Sequence, residues 1–270
     1  MRALDVHGVP MPVLGLGTWL LRGDACRRAV ADALAVGYRH VDTAEMYENE
    51  EAVRRGMADS GVPRADVFLT TKVWRDHLRR ADLPHAVAGS LRRLGTDYVD
   101  LLLVHWPNEA VPLDETLGAL QEVQAAGKAR LIGVSNFPAP LLQEALALAP
   151  DLACDQVEYH ILLGQEDVLD VVRPRGMVLT AYSPLARGRV AKDETVQTIA
   201  AVHGVSASHI ALAWLLRQDR VAVIPKASTR EHLEANLAAL DFQLSDEETA
   251  ALDALPKHRR FVSPDWAPPW

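Results

Sequence analysis

Short apolar runs alternate with amphipathic stretches along the whole chain. Runs of roughly four to eight apolar residues are typical of buried strands, and apolar positions that recur every three or four residues are typical of helices packed against them. Strands are predicted near residues 14–18, 38–42, 67–72, 98–105, 130–134, 152–157, 177–182 and 221–225. Helices are predicted between them, near residues 24–36, 48–60, 82–94, 113–126, 139–148, 165–173, 206–217 and 229–239.

Strict alternation of strand and helix implies parallel strands with right-handed crossovers, and eight units favour a closed (β/α)8 TIM barrel over an open sheet. Two extra helices, near residues 193–203 and 245–255, fall outside the alternation. The first thirteen residues predict a β-hairpin that turns at His7 and Gly8 and covers the barrel floor. Since no flexible linker interrupts the chain, residues 1–270 are predicted to form a single α/β domain.

Three residues are typical of helix ends. Asp24 is predicted to cap the first helix, Gly37 to end it and Gly127 to close the fourth.

Composition argues against several classes of protein. The formal net charge of −8 and the lack of a compact basic run argue against a nucleic-acid partner. No uncharged apolar stretch approaches the roughly 18 residues of a membrane helix, so a cytoplasmic protein without a membrane partner is expected. Cys26 and Cys154 have no disulfide or zinc-ribbon spacing, so both are expected to be buried and no metal site is predicted.

Polar residues stand where a folded core would not normally accept them. Asp42, Lys72 and His105 close the second, third and fourth predicted strands, and Tyr47 lies just beyond the second. Unpaired buried charge is costly, and the carboxyl ends of barrel strands meet at one mouth. The four side chains therefore predict a site. The alternative is a structural Asp42–Lys72 ion pair, a core histidine and a packing tyrosine.

This group has the properties of a general acid aimed at a carbonyl. Positive charge on Lys72 would favour the phenolate of Tyr47, Asp42 would keep the ammonium in place and protonated, and a neutral His105 could orient the carbonyl oxygen. No nucleophile motif is present, so a bound hydride donor is needed. A Rossmann domain is not expected, because Leu20 stands at the third glycine position of GLGTWL.

Eight ordered motifs match a known family: GLGTW at 15–19, DTAEMYENE at 42–50, TTKVW at 70–74, LLLVHWP at 101–107, IGVSNF at 132–137, QVEYH at 156–160, AYSPLARG at 181–188 and IPK at 224–226. Over its full length the chain resembles the aldo-keto reductases. That resemblance implies a (β/α)8 barrel with an N-terminal hairpin, an extended NADPH site and reduction of aldehydes and ketones.

The resemblance also implies roles for individual residues. Tyr47 would be the acid, with Asp42, Lys72 and His105 as its partners. The nicotinamide carboxamide would be held by Ser135, Asn136 and Gln156, whose other interpretation is turn chemistry and helix capping. Tyr182 would stack on the nicotinamide ring. The pyrophosphate would lie against Ser183, Pro184 and Leu185, and the same groove would be lined by Thr18, Trp19 and Asp42.

Lys226 follows the eighth strand, where the family binds the adenosine 2′-phosphate, with Ser228, Thr229, His232 and Asn236 nearby. Members that favour NADPH commonly have Ser directly after this Lys and Arg six residues after it, whereas this chain has Ala227 and His232. A histidine offers no bidentate guanidinium contact. NADPH preference with reduced stringency is therefore expected, and NADH is a possible second cofactor.

The substrate pocket is expected to be an apolar cup. Its predicted residues are Trp19, Tyr47, Trp74, His105 and Trp106, and the other interpretation of the tryptophans is aromatic core. Trp266 and Trp270 lie in a Pro-rich tail that is predicted to fold over the mouth. The short loops and this tail resemble the bacterial branch that includes 2,5-diketo-D-gluconate reductases, which also reduce methylglyoxal, so a small carbonyl substrate and a monomer are expected.

Two other functions compete with reduction. A Schiff-base aldolase would use Lys72 as a neutral amine, whereas an adjacent Asp42 favours the charged form. A non-catalytic nicotinamide-binding sensor or structural protein could share the barrel, but such a protein would not need all four polar residues.

Overall fold

The computed structural model describes all 270 residues. It opens with an antiparallel hairpin of β1 (Ala3–Val6) and β2 (Val9–Pro12). His7 and Gly8 both have positive φ angles, 49° and 79°, as a two-residue hairpin turn requires. Val6, Val9 and Met11 belong to one buried apolar cluster with residues of the barrel: Phe68, Leu101, Leu103, Leu131, Ala153, Cys154, Val178 and Ala222. The predicted hairpin is confirmed, and it covers the barrel floor.

Eight parallel strands follow in sequential order: β3 (Leu16–Gly17), β4 (His40–Asp42), β5 (Phe68–Val73), β6 (Val99–Val104), β7 (Ala129–Ser135), β8 (Cys154–Glu158), β9 (Val178–Tyr182) and β10 (Val221–Val223). A bridge between Leu14 and Val223 closes the circle, with the Gly15 N–H donating to the Val223 carbonyl at 2.9 Å. The (β/α)8 prediction is confirmed. The first strand is shorter than predicted because only Leu16 and Gly17 pair with β4, while Leu14 forms a single bridge across the seam to Val223.

Ten helices surround the strands: α1 (Gly23–Val36), α2 (Glu50–Ser60), α3 (Leu83–Leu94), α4 (Leu113–Ala125), α5 (Ala139–Leu148), α6 (Glu166–Val172), α7 (Glu194–His203), α8 (Ala207–Leu216), α9 (Arg230–Ala238) and α10 (Asp246–Asp253). The two extra helices of the prediction are α7 and α10. No single helix is long and apolar enough to cross a membrane; α7 and α8 meet the length and composition test only as a pair, across a 96° bend.

The helix ends follow the predictions at two of three positions. Gly37 has φ 117° and its N–H donates to the carbonyls of Ala33 and Leu34, and Gly127, with φ 73°, follows the end of α4. The Asp24 prediction is wrong. Helix α1 begins at Gly23, so Asp24 lies inside the first turn, where its carboxylate accepts from Arg27 instead of capping.

Residue alternation along the strands positions the site. In β6, Leu102 and Val104 face the helices, whereas Leu101 and Leu103 face the barrel interior. Because successive side chains of a strand point to opposite faces, His105 continues the inward row. Both cysteines are free and buried, as predicted.

Candidate active site

One cavity of about 520 Å³ opens at the carboxyl ends of the strands. Thirteen of the predicted site residues line it: Trp19, Asp42, Tyr47, His105, Trp106, Ser135, Asn136, Gln156, Tyr182, Ser183, Pro184, Leu185 and Lys226. Eight residues that the sequence did not suggest also line it: Gly17, Leu20, Met46, Arg187, Gly188, Ile224, Pro225 and Val262. The cavity therefore joins most of the predicted catalytic, cofactor and substrate residues in one space.

Lys72 is buried at the base of this cavity. Its Nζ lies 2.5 Å from Oδ1 of Asp42, donates to the Thr43 carbonyl at 2.8 Å and lies 3.5 Å from the Tyr47 hydroxyl oxygen. The second oxygen of Asp42 accepts from Nε2 of Gln156 at 2.8 Å. Tyr47 reaches the group from a 3₁₀ turn, Glu45–Tyr47, that follows β4 after Thr43 and Ala44. The predicted neighbours are therefore in contact.

Burial dominates the titration of this group. It lowers the pKa of Lys72, and the Asp42 carboxylate opposes that change. Burial raises the pKa of Tyr47 well above its ordinary value, and the Asp42 charge raises it further. The expected shift of Tyr47 toward phenolate is thus wrong, because burial, with the Asp42 charge adding to it, raises the pKa of Tyr47. Tyr47 therefore holds its proton at neutral pH.

His105 is neutral, as predicted. Burial lowers its pKa well below the ordinary value, and the charge of Lys72 adds to that effect. The ring packs edge-on against Tyr47, at 5.6 Å between centroids, and against Trp74, at 5.2 Å. Its Nδ1 is buried without a hydrogen-bond partner. A neutral imidazole in this place can donate one hydrogen bond into the cavity.

The amide and hydroxyl groups at the ends of β7 and β8 form a continuous network. The Ser135 hydroxyl donates to the Gln156 carbonyl at 2.7 Å. Asn136, with a φ of 64°, donates to the His105 carbonyl at 3.0 Å and accepts from the Tyr182 hydroxyl at 2.7 Å. Asn136 therefore links Tyr182 to the strand that ends at His105. Its side chain does not cap α5, whose N-cap residue is Pro138.

The loop after β9 curves around the cavity. Ser183, Ala186 and Arg187 have positive φ angles of 48°, 49° and 53°, and Gly188 follows at 82°. The Arg187 guanidinium lies 5.3 Å from the centroid of the Trp19 ring, on the opposite side of the groove. Arg187 and Gly188 are thus additional candidate cofactor residues. Both residues could have been identified from the sequence, because they belong to the AYSPLARG motif that follows the predicted seventh strand.

The residues predicted around the 2′-phosphate are only partly gathered. Lys226 lines the cavity, and Thr229 caps α9 by accepting from the His232 N–H at 3.3 Å. Ser228 and His232 are exposed, and Asn236 is buried beside the Tyr38 hydroxyl. None of these four residues lines the cavity: Ser228, Thr229 and His232 lie on the surface next to it, and Asn236 lies behind it.

Thr18 and Trp74 also lie behind the cavity wall. The Thr18 hydroxyl is buried and donates to the Asp42 carbonyl at 2.9 Å, which joins β3 to β4. Trp74 backs His105 and touches the C-terminal tail.

The tail folds over the mouth, as predicted. The Trp266 ring packs edge-on against Trp106, at 5.2 Å between centroids, and against Trp74, at 5.8 Å. The Arg75 guanidinium lies 4.2 Å from the Trp266 centroid, and Arg260 lies 3.9 Å from Trp270. Trp266 does not line the cavity itself but forms an outer wall over Trp106, which does.

Comparison with known proteins agrees with this geometry. The profile of the Aldo/keto reductase family matches residues 13–257. Methylglyoxal reductase DkgB of Salmonella typhimurium is 41% identical over 265 residues, which cover 96% of this chain and 99% of the relative. An aldo-keto reductase of Mycolicibacterium vanbaalenii is 40% identical over 93% of this chain and 90% of its own length.

Solved structures show the same architecture. A crystal structure provisionally assigned as a 2,5-diketo-D-gluconic acid reductase B superposes with a TM-score of 0.95 at 45% identity, covering 100% of this chain and 96% of the other. A thermostable aldo-keto reductase superposes with a TM-score of 0.87 at 40% identity, covering 94% and 99%. The chain therefore belongs to the aldo-keto reductase family and is an oxidoreductase of carbonyl groups that uses a nicotinamide cofactor.

Proposed function

We propose that this enzyme reduces small aldehydes and ketones to alcohols with hydride from NADPH and a proton from Tyr47. The observation that supports it most is the position of Lys72 Nζ, 2.5 Å from Asp42 and 3.5 Å from the Tyr47 hydroxyl, beside a neutral His105. Methylglyoxal and 2,5-diketo-D-gluconate are the proposed substrates, because the names of similar proteins refer to them.

The residues at the cavity base each have a separate role in one proton transfer. NADPH, when bound, supplies the hydride that reaches the carbonyl carbon. Tyr47 gives its hydroxyl proton to the carbonyl oxygen, and the phenolate so formed faces the Lys72 ammonium. Asp42 holds that ammonium in place. The neutral ring of His105 donates to the same carbonyl oxygen and orients it.

The cavity suits an extended nicotinamide cofactor. At the catalytic end, the carboxamide would meet Ser135, Asn136 and Gln156, and the nicotinamide ring would meet Tyr182. Along the groove, the pyrophosphate would meet Ser183, Pro184 and Leu185. Arg187 adds a positive charge to this groove. It lines the cavity, and its guanidinium lies over the Trp19 ring and not against a carboxylate. Trp19 would complete the opposite wall, with Thr18 buried behind it.

Preference for NADPH over NADH would depend mainly on Lys226. Its side chain is exposed at the far end of the cavity, where an added phosphate can reach it. Ser228, Thr229, His232 and Asn236 follow Lys226 in the chain, and position 232 offers an imidazole where a guanidinium would bind phosphate through two N–H groups. The preference is therefore proposed to be real but less strict than in a site with two cations.

The Schiff-base alternative agrees less well with Lys72. An aldolase needs a free, neutral amine. Burial lowers the pKa of Lys72 in that direction, but its Nζ is engaged by the Asp42 carboxylate and the Thr43 carbonyl. Borohydride reduction with substrate present separates the two functions, because a covalent adduct on Lys72 would contradict reduction by NADPH.

A panel of methylglyoxal, 2,5-diketo-D-gluconate and simple aldehydes, followed by loss of NADPH absorbance, tests the proposed function. Turnover of small dicarbonyls supports it. Cofactor binding without turnover of any member of the panel would favour the non-catalytic sensor instead. We also propose that residues 1–270 act as one domain and as a monomer, and sedimentation of the purified protein measures the latter.

A further inference from the structure

The QVEYH segment contains two ionisable side chains, Glu158 and His160, that the proposed chemistry does not use. Both are completely buried. Glu158 is the last residue of β8 and pairs in register with Tyr182. The Leu162 N–H donates to Nδ1 of His160 at 3.3 Å, so Nε2 carries the proton of a neutral ring, and Nε2 lies 3.1 Å from Oε1 of Glu158. His160 therefore donates to Glu158 and orients it.

The Glu158 carboxylate binds the backbone of the C-terminal segment. The Phe261 N–H lies 2.9 Å from Oε1 and 3.1 Å from Oε2, and the Val262 N–H donates to Oε2 at 2.9 Å. Burial by itself would raise the pKa of Glu158. The hydrogen bonds from His160, Phe261 and Val262 outweigh burial and hold the pKa below its ordinary value. The buried group is therefore a carboxylate anion.

Glu158 is the last polar anchor before the outer wall of the pocket. Upstream, the Gly164 N–H donates to the Lys257 carbonyl and the Arg259 N–H donates to the Leu162 carbonyl. Beyond Val262, the one backbone hydrogen bond is internal to the tail, from the Ala267 N–H to the Pro264 carbonyl.

The anchored segment forms part of the pocket. Val262 lines the cavity. Trp266, four residues further along, forms the outer wall against Trp74 and Trp106. A shift of Val262 would therefore move both an inner and an outer surface of the pocket.

We propose that Glu158, oriented by His160, is a positioning residue that sets substrate selectivity by fixing Val262 and, through it, Trp266. The inference rests on the proposed function, since it takes the space beneath Trp266 as the carbonyl pocket. Glu158→Gln keeps the shape but replaces one acceptor oxygen with a donor, so it cannot accept from all three N–H groups. If the tail is released, Trp266 no longer confines a small substrate, and a larger substrate gains room in the pocket.

The experiment compares two dicarbonyls of different size, methylglyoxal and phenylglyoxal, in a double-mutant cycle of Glu158→Gln and Trp266→Ala. Each single variant should raise the ratio of kcat/KM for phenylglyoxal over methylglyoxal by about tenfold. The double variant should show no further rise, because both changes remove the same wall. A ratio that multiplies in the double variant, or that stays at the wild-type value in Glu158→Gln, overturns the proposal.

Hydrogen exchange tests the anchor without any substrate. In the wild type, the amides of Phe261 and Val262 should exchange more slowly than those of Asp265, Trp266 and Trp270, and Glu158→Gln should remove that protection. Equal exchange along the wild-type tail overturns the proposal even where the variant does not fold. If the wild type reduces neither dicarbonyl while these amides are protected, the proposed function fails and the anchor stands.

Discussion

Gln156 and Asp42 are joined by a hydrogen bond of 2.8 Å from the amide Nε2 to the carboxylate Oδ2. The other oxygen of Asp42 lies 2.5 Å from Lys72 Nζ. One carboxylate therefore bridges a residue proposed to hold the nicotinamide and the lysine proposed to support the acid. A replacement of Gln156 should therefore affect Lys72 through the Asp42 side chain alone.

Replacement of Gln156 by Leu should weaken two properties at once. It removes a proposed carboxamide partner and leaves Oδ2 of Asp42 unpaired in a buried place. We expect the Kd for NADPH to rise and kcat to fall, each by roughly tenfold. Fluorescence titration and steady-state kinetics measure the two effects. Ser135→Ala is the control, because its hydroxyl does not touch Asp42, and it should weaken binding alone; an unchanged kcat in Gln156→Leu would contradict the link.

Replacement of Tyr47 by Phe removes the transferable proton and little else. We expect kcat/KM for methylglyoxal to fall by roughly 10²–10⁴-fold, with the Kd for NADPH within about twofold of wild type. Because burial raises the pKa of Tyr47 and lowers that of His105, both keep their active protonation states through neutral pH. The wild-type rate of reduction should therefore be flat across that range. A break near neutrality would show that another group supplies the proton.

Cofactor preference should respond to two changes in opposite directions. Lys226→Ala should lower the ratio of kcat/KM for NADPH over NADH by roughly tenfold, because a charge-assisted contact to the 2′-phosphate is lost. His232→Arg should raise that ratio, since a guanidinium can bind phosphate through two N–H groups. Initial rates with both cofactors give the ratio. An unchanged ratio in Lys226→Ala would contradict the assignment of Lys226 to the 2′-phosphate.

His40 should make the fold sensitive to mild acid. It lies inside the barrel between the Pro12 carbonyl and the Thr70 hydroxyl. Burial lowers its pKa to about 4, with Asp42 opposing. Between about pH 6.5 and pH 4 the unfolded chain binds a proton that the native His40 does not, so stability falls as pH drops. From pH 7 to pH 5 the loss should be about 2 kcal/mol in the free energy of unfolding.

Urea titrations at the two pH values measure this loss. His40→Gln cannot bind that proton and should show a correspondingly flatter dependence on pH. An equal dependence in wild type and variant would assign the acid sensitivity to other groups.

Replacement of two glycines by alanine should change the free energy of unfolding in opposite directions. A Cβ on Gly17 would lie 2.5 Å from the Ile224 carbonyl oxygen, at the seam where β3 approaches β10, whereas a Cβ on Gly118 within α4 meets nothing within 4 Å. Gly17→Ala should lower the free energy of unfolding by roughly 1–3 kcal/mol. Gly118→Ala should raise it by roughly 0.5–1 kcal/mol. Thermal and urea unfolding compare the pair, and a tolerated Gly17→Ala would mean that the seam adjusts.

The barrel was predictable because its elements are regular. Apolar runs and helical periodicity suffice to place eight strands, and the inward row of each strand then brings Asp42, Lys72 and His105 to one rim. The start of α1 was not predictable from Asp24 alone, since an acidic residue stabilises a first turn as readily as it caps one.

Other features depend on contacts between distant segments. Arg187 reaches the cavity because three consecutive left-handed residues turn its loop inward, and no periodicity encodes that path. Val262 lines the pocket because Glu158, about a hundred positions earlier in the chain, binds its N–H. The direction of the Tyr47 pKa shift also required the structure, because it depends on the balance between burial and the two charges beside it.

The hairpin on the floor and the tail at the mouth place the two ends of the chain at opposite ends of the barrel. An affinity tag or surface tether fused before Met1 would therefore sit on the closed side, away from the catalytic opening. The same fusion after Trp270 would lie beside Arg260 and the Trp266 wall. Immobilised preparations should thus differ in selectivity according to which terminus is attached, and amino-terminal attachment should leave the selectivity unchanged.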